Sequence, residues 1–181
     1  MPATETTPRA RFPSVDDLND MSVGSFSEAA ALLFEPAPRF TAWLAAARPF
    51  ESDTELMAAA RRIAHRMSEA DQVELVNAHP RLGSRDHLSD ASRREQGRTS
   101  AAVDADLAEL NAAYEDRFGF RYLVHVAGRP RAKLLPGFRA ALQQEQATEL
   151  RRALDDTLAI AADRLRFLRA GEADPARGRA P

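Results

Sequence analysis

The sequence contains no cysteine. This absence excludes disulfide bonds, thiolate nucleophiles and zinc sites with thiolate ligands, and it is typical of proteins in a reducing compartment. Lysine is nearly absent as well, because Lys133 is the only one, and its neighbours do not indicate a Schiff-base or pyridoxal phosphate site. The chemistry of an active site must therefore come from other side chains.

Long apolar runs are also missing from the sequence. No stretch of about 18 apolar residues occurs, and the first residues lack the apolar centre of a signal peptide. The net charge is −2, and the basic residues are scattered instead of forming one stripe that follows phosphates. We therefore expect a cytoplasmic protein that binds neither membranes nor nucleic acids.

Length and apolar spacing predict one helical domain. A chain of 181 residues with 44% hydrophobic residues suits a single core. Apolar residues recur at steps of three or four along Leu56–Met67, Val103–Tyr114 and Leu150–Leu168, and Ser52 and Ser68 are N-cap signals. Weaker helices are predicted at 25–34, 38–47 and 133–144. The fold class is therefore an all-α, single-domain helical bundle of about seven to nine helices.

One extended segment is predicted near 120–127, across the bundle. Its apolar part, Tyr122–Val126, is the only strand-like run, and a single run cannot form a sheet. Residues 1–13 and 170–181 are rich in Pro, Gly, Ala and charge without apolar periodicity, so we expect flexible tails there. The expected folded domain is 14–169.

His79 is the first candidate for chemistry. It precedes Pro80, which disfavours a helical conformation at the histidine, so the helix that begins near Ser68 should end here. A histidine at such a helix end can face a cleft and titrate near neutral pH. From the spacing alone, a capping or surface histidine that interacts with the helix C-terminus is the simpler interpretation.

A second candidate is the run Ser92-Arg93-Arg94-Glu95-Gln96. In one interpretation Ser92 and Glu95 form a capping box, which requires no function. In the other, the helix that begins here offers free N–H groups and a carboxylate to a polar, anionic ligand. Both interpretations stay open on the residues alone.

The remaining histidines indicate little by themselves. His79, Asp86 and His87 lie close in sequence, but no typical zinc-ligand spacing is present, so no metal is expected. His65 falls within a predicted helix and His125 within the apolar run, where a structural role is the default expectation.

The order of several motifs is more specific than any of them alone. The chain carries AHPRLG at 78–83, SRREQ at 92–96, LNAAYEDRFGF at 110–120, and then an apolar run that ends in Gly-Arg at 128–129. In this order the sequence resembles the 2-oxo-4-hydroxy-4-carboxy-5-ureidoimidazoline (OHCU) decarboxylases, which complete the conversion of urate to (S)-allantoin. The resemblance extends over about Leu18–Leu168.

The resemblance implies a cofactor-independent carboxy-lyase, with an all-helical fold, no metal and a homodimeric state. It implies that His79 is the general acid and that Glu95 orients the substrate. Further substrate contacts, partly through backbone groups, are implied for Pro80, Ser92, Arg93, Arg94, Gln96, Tyr122, Leu123, Val124, His125 and Val126.

Some positions depart from the family pattern. Arg81 replaces an aspartate after the proline, Arg121 stands where proline is common, and an arginine common in the family is missing from Ala141–Gln144. A decarboxylase of a related cyclic ureide is therefore one alternative. The other is a non-catalytic helical binding module in which His79 and Glu95 only cap helices.

Overall fold

The structure is a computed structural model that describes residues 12–84 and 100–172. Within these ranges it contains eight α-helices and one short 3-10 turn, which confirms the predicted all-α class and number of helices. The helices are α1 (Val15–Asp20), α2 (Val23–Phe34), α3 (Pro38–Ala46), α4 (Asp53–Arg66), α5 (Glu69–Ala78), α6 (Ala101–Phe118), α7 (Leu135–Ala141) and α8 (Gln146–Glu172), and the 3-10 turn is Arg131–Lys133.

Serine side chains start most of these helices. The hydroxyl of Ser52 accepts from the N–H of Glu55, and that of Ser68 accepts from Asp71, so both predicted caps are confirmed. Equivalent caps start α1, α2 and α6. Each cap satisfies an N–H group that has no partner within the helix, which is worth about 1 kcal/mol.

An aromatic cluster forms the core beside the extended segment. Tyr114 is fully buried, and Tyr122 stacks on Phe138 with ring centroids 3.6 Å apart. Gly119, with φ of 77°, lets the chain leave α6 in a left-handed turn, so that the following aromatic side chain returns to the same cluster. The members of the cluster are Tyr114, Phe118, Phe120, Tyr122 and Phe138.

The long helix α8 is the axis of the bundle. It packs against α2, α4 and α5. Most of its predicted apolar positions are buried, namely Leu150, Leu154, Leu158, Ala161 and Leu165. No helix within residues 12–84 and 100–172 is long and apolar enough to cross a membrane.

Arg169 joins three distant parts of the chain. Its guanidinium donates to the carbonyl of Pro13 at 2.9 Å and to the carboxylate of Asp53 at 2.9 Å, and it lies 5.0 Å from the ring centroid of Phe12. Phe12 is only 2% exposed. The folded part thus begins before residue 14, and α8 continues to Glu172, beyond the boundary expected from the sequence.

Candidate active site

His79 lies directly after α5, which ends at Ala78. Its backbone is extended (φ −77°, ψ 145°), as expected before Pro80, and its N–H donates to the carbonyl of Val76 at 3.2 Å. Only 2% of His79 is exposed. It is therefore a helix-capping residue with a buried ring, and the surface interpretation is wrong.

The two ring nitrogens of His79 have different surroundings. Nδ1 lies 3.4 Å from the carbonyl oxygen of Leu75, which can only accept, so this nitrogen carries the proton of the neutral ring. Nε2 is buried and has no hydrogen-bond partner among the described residues. A buried polar atom without a partner costs about 1–3 kcal/mol, and a ligand that donates to Nε2 removes this cost.

The protein stabilises the neutral form of this ring. The pKa of His79 is lowered to about 4, mainly because burial disfavours the charged imidazolium, and also because of the positive charge of Arg164. Glu35 and the bond to Leu75 act in the opposite direction. An anionic ligand beside the ring favours the imidazolium and raises the pKa again. The charge of a ligand beside the ring therefore affects whether His79 is neutral or an imidazolium.

The two charged residues that act on the pKa of His79 form a buried ion pair with each other. The guanidinium of Arg164 lies 2.9 Å from the Glu35 carboxylate, and the two side chains are 4% and 10% exposed. Arg164 also donates to the carbonyl of Leu33 at 3.2 Å, so α8 is tied to the end of α2. Sequence reasoning missed both charged residues. For Arg164 the available signal is its position between Ala161 and Leu165, on the apolar face of the last helix.

A cavity of about 210 Å³ lies between the end of α5, the extended segment and α8. Seven of the predicted site residues line it: His79, Pro80, Tyr122, Leu123, Val124, His125 and Val126. The lining also includes residues that the sequence did not single out: Leu82, Ala127, Gly128, Ile160 and Asp163. The predicted site residues Ser92, Arg93, Arg94, Glu95 and Gln96 lie outside the described ranges, as do Asp86 and His87.

An imidazole–carboxylate pair joins the extended segment to α8 at the cavity. Nε2 of His125 is hydrogen-bonded to the carboxylate of Asp163. The side chains are 26% and 36% exposed, and both line the cavity. The sequence favours a purely structural role for His125. In the structure its ring is also accessible from the cavity.

A partly buried ionic network supports the extended segment. Arg152 donates to the carbonyl of Leu123 at 2.8 Å, and to Glu149 and Asp156, each at 2.7 Å. Glu149 also accepts from the hydroxyl of Tyr114 at 2.8 Å. Burial and this hydrogen bond raise the pKa of Tyr114, so its hydroxyl remains a donor. The backbone that lines the cavity is thereby fixed.

Arg121 links the extended segment to the end of α5. Its backbone N–H donates to Asn77 Oδ1 at 2.8 Å, and its guanidinium donates to the carbonyls of Asn77 at 2.7 Å and His79 at 2.9 Å. These carbonyls lie at a helix C-terminus, where a cation is favourable. The departure from the family pattern at this position thus contributes a direct contact to the backbone of His79.

Arg81 also secures the turn after His79. It donates twice to Glu115 on α6, at 2.5 and 2.6 Å, and this pair lowers the pKa of Glu115. Asn111 on the same helix donates to the carbonyl of Leu82 at 2.9 Å. The turn is therefore attached to α6 by both side-chain and backbone contacts.

The part of the chain that the structure describes contains no group of three His, Cys, Asp or Glu side chains placed to hold a metal ion. The polar side chains that line the cavity include two imidazoles, those of His79 and His125, and the carboxylate of Asp163. Their arrangement suits proton transfer and hydrogen bonding to a small polar ligand.

Comparison with known proteins identifies the group to which this chain belongs. The family model described as OHCU decarboxylase matches residues 19–166. The OHCU decarboxylase of Haloferax volcanii is 31% identical over 159 residues, which cover 84% of this chain and 94% of that protein. The uric acid degradation bifunctional protein of Bacillus subtilis is 32% identical over 157 residues, but the chain spans only 32% of its length.

A solved structure has the same fold. The crystal structure of an OHCU decarboxylase in the presence of (S)-allantoin superposes with a TM-score of 0.65 and 23% identity, over 80% of this chain and 96% of that one. Fold and family match define an all-α decarboxylase, an enzyme of the lyase class. More particularly, the chain belongs to the OHCU decarboxylase family.

Proposed function

We propose that this protein removes carbon dioxide from 2-oxo-4-hydroxy-4-carboxy-5-ureidoimidazoline and yields (S)-allantoin, as a step of urate degradation. The proposal depends mainly on the surroundings of His79. Its buried Nε2 has no partner among the described residues, and its ring lines the cavity. Family membership supplies the reaction class. The substrate is proposed by similarity to the OHCU decarboxylases of Haloferax volcanii and Halalkalicoccus jeotgali.

The substrate provides its own electron acceptor. When the bond between C4 and the carboxyl carbon breaks, the electron pair moves into the adjacent C=N and carbonyl system of the ring. No metal or organic cofactor is therefore required, and the enzyme acts by orientation and proton transfer. The reaction also requires a proton at the carbon that becomes the stereocentre of allantoin.

His79 is proposed to supply this proton as the general acid. Its pKa of about 4 keeps the ring neutral until the substrate arrives. The carboxylate of the substrate then favours the imidazolium, and the buried ring takes up a proton together with the ligand. Delivery from one side of the cavity explains why one enantiomer is expected.

Glu95 is proposed to hold the carboxyl and hydroxyl groups so that the breaking bond aligns with the ring π-system. Additional substrate contacts are proposed for Ser92, Arg93, Arg94 and Gln96, beside the cavity residues named above. A homodimeric state and a cytoplasmic location are also proposed, from the family resemblance and from the sequence.

The proposal is tested by generating the unstable ureidoimidazoline from urate in place and following its decay together with the circular dichroism of allantoin. The protein should accelerate the decay and give an excess of (S)-allantoin. His79→Asn should remove the excess and lower kcat by about 10²–10⁴-fold, the range for loss of a general acid.

His65→Asn is the matched control, since His65 is paired with Asp155 on α8 and does not line this cavity. It should retain the wild-type rate and product. Unchanged decay and racemic allantoin from a wild-type protein with a helical far-ultraviolet spectrum would contradict the proposed function.

A further inference from the structure

The side chains of His125 and Asp163 both line the cavity, but the mechanism proposed above gives neither of them a defined contact with a group of the substrate. Nε2 of His125 is hydrogen-bonded to Asp163 Oδ2. Nδ1 forms no hydrogen bond with a described residue. One nitrogen of the ring is thus held in place while the other is left for a ligand.

The contact with Asp163 determines the tautomer of the ring. A carboxylate only accepts hydrogen bonds, so Nε2 carries the proton and Nδ1 of the neutral ring is an acceptor. An acceptor in the cavity wall is complementary to a ligand N–H group. It is not complementary to a carboxylate, which only accepts hydrogen bonds.

The pair is not needed to hold the extended segment. Arg152 already donates to the carbonyl of Leu123 at 2.8 Å. Arg129 donates to the carbonyl of His125. Because the backbone on both sides of the ring is fixed by these bonds, the side-chain pair is available for recognition.

We propose that His125, oriented by Asp163, accepts a hydrogen bond from the ureido group of the substrate and determines specificity for it. His125 touches the substrate in this arrangement, and Asp163 is a positioning residue. The inference rests on the proposed function, because it assigns one end of that substrate to one wall of the cavity. The rest of that wall is largely apolar, with Leu123, Val126 and Ile160 among its members, so few other side chains there accept an N–H group.

The kinetic test compares His125→Phe, Asp163→Asn and His65→Phe in the coupled assay. His125→Phe should raise KM about tenfold, the effect of losing one hydrogen bond to a desolvated ligand, and should leave kcat within about threefold. Asp163→Asn should raise KM as well, because its amide can donate to Nε2 and turn Nδ1 into a donor.

His65→Phe is the matched control for the kinetic test. His65 pairs with Asp155 on the same helix α8, and its side chain is 24% exposed, compared with 26% for His125. This variant should keep the wild-type KM and kcat. A KM for His125→Phe within twofold of the wild-type value, or an equal rise in the control, would overturn the assignment.

A binding test separates this inference from the proposed function. The chain has four histidines, so their ring signals can be assigned in carbon–proton spectra with single His→Phe variants. Allantoin should shift the signals of both His79 and His125. Hydantoin, which has the same ring without the ureido group, should shift His79 and leave His125 unchanged.

Each result of the binding test has a definite meaning. Shifts at His79 without shifts at His125 in the presence of allantoin overturn the ureido contact and leave the proposed function intact. Equal shifts of His125 with both compounds overturn the ureido specificity. No shift at either histidine, with no decarboxylation in the coupled assay, overturns both proposals.

Discussion

At the scale of single residues, the burial of His79 couples folding to pH. The pKa of its ring is about 4 in the folded protein, whereas the ordinary value of 6.5 applies to the unfolded chain. Between these values the unfolded chain binds more protons than the folded one, so stability decreases as the pH falls through this window. Above pH 6.5 the contribution is fully present.

The expected size of this effect is about 3 kcal/mol, at about 1.4 kcal/mol per pKa unit. His79→Gln removes the titrating group. The difference in unfolding free energy between wild type and variant should therefore shift by about 3 kcal/mol, to the disadvantage of the wild type, between pH 7 and pH 4. Urea denaturation at several pH values measures it, and a difference that does not change with pH would contradict the assignment.

At the scale of secondary-structure elements, the position of His79 depends on how the end of α5 meets the extended segment. Arg121→Ala removes the guanidinium bonds to the carbonyls of Asn77 and His79 and leaves the backbone bond to Asn77. Displacement of a reacting group by about 1 Å can cost about 10²-fold. We therefore expect kcat to fall about 10- to 100-fold, with a smaller change in KM.

Two further variants make this test specific. Arg121→Lys should recover part of the rate, because a lysine can still donate to one of the carbonyls. Arg117→Ala is the control, since this exposed arginine contacts Gln144 and Phe118 but not α5. Wild-type kcat in Arg121→Ala would mean that Arg121 does not position His79.

The helices show which elements the sequence predicts well. The starts of α4 and α5 follow from the serine caps, and α8 follows from its apolar stripe. In contrast, α1 was not predicted, because six residues with only Leu18 buried are too short for periodicity to appear. The predicted helix at 133–144 is shorter, since Pro136 in the first turn marks a start at Leu135.

The residues of the candidate site also differ in how well the sequence predicts them. His79 and the segment Tyr122–Val126 carry local signals, namely a proline after a helix and an apolar run between glycines, and both line the cavity. The partners of these residues carry no such signal. Asp163 lies 38 positions from His125 in the chain, and only the packing of α8 brings Asp163 and Arg164 to the site.

At the scale of the whole molecule, α8 is tied to α2 by the ion pair of Arg164 with Glu35, which is buried at 4% and 10% exposure. Glu35→Gln leaves the buried guanidinium without this counter-charge. Breaking a buried pair in this way costs about 3–5 kcal/mol, whereas Asp71→Asn, in a pair with the 59% exposed Arg39, should cost less than about 1 kcal/mol.

Urea denaturation of the two single variants measures this difference. The double variant Glu35→Leu with Arg164→Met should recover much of the loss, because apolar side chains can replace a buried pair at little cost. Equal stability of Glu35→Gln and Asp71→Asn would contradict the role of the pair in joining α2 to α8.

The contacts of Arg169 place the first described residues, Phe12 and Pro13, beside the last turns of α8. A short linker can therefore connect residue 12 to the end of α8 without crossing the bundle. The order of the helices along the chain is then free to change while their packing is kept. A circular permutant opened in an exposed connection that does not line the cavity, such as residues 143–145 between α7 and α8, should fold with the same arrangement of helices.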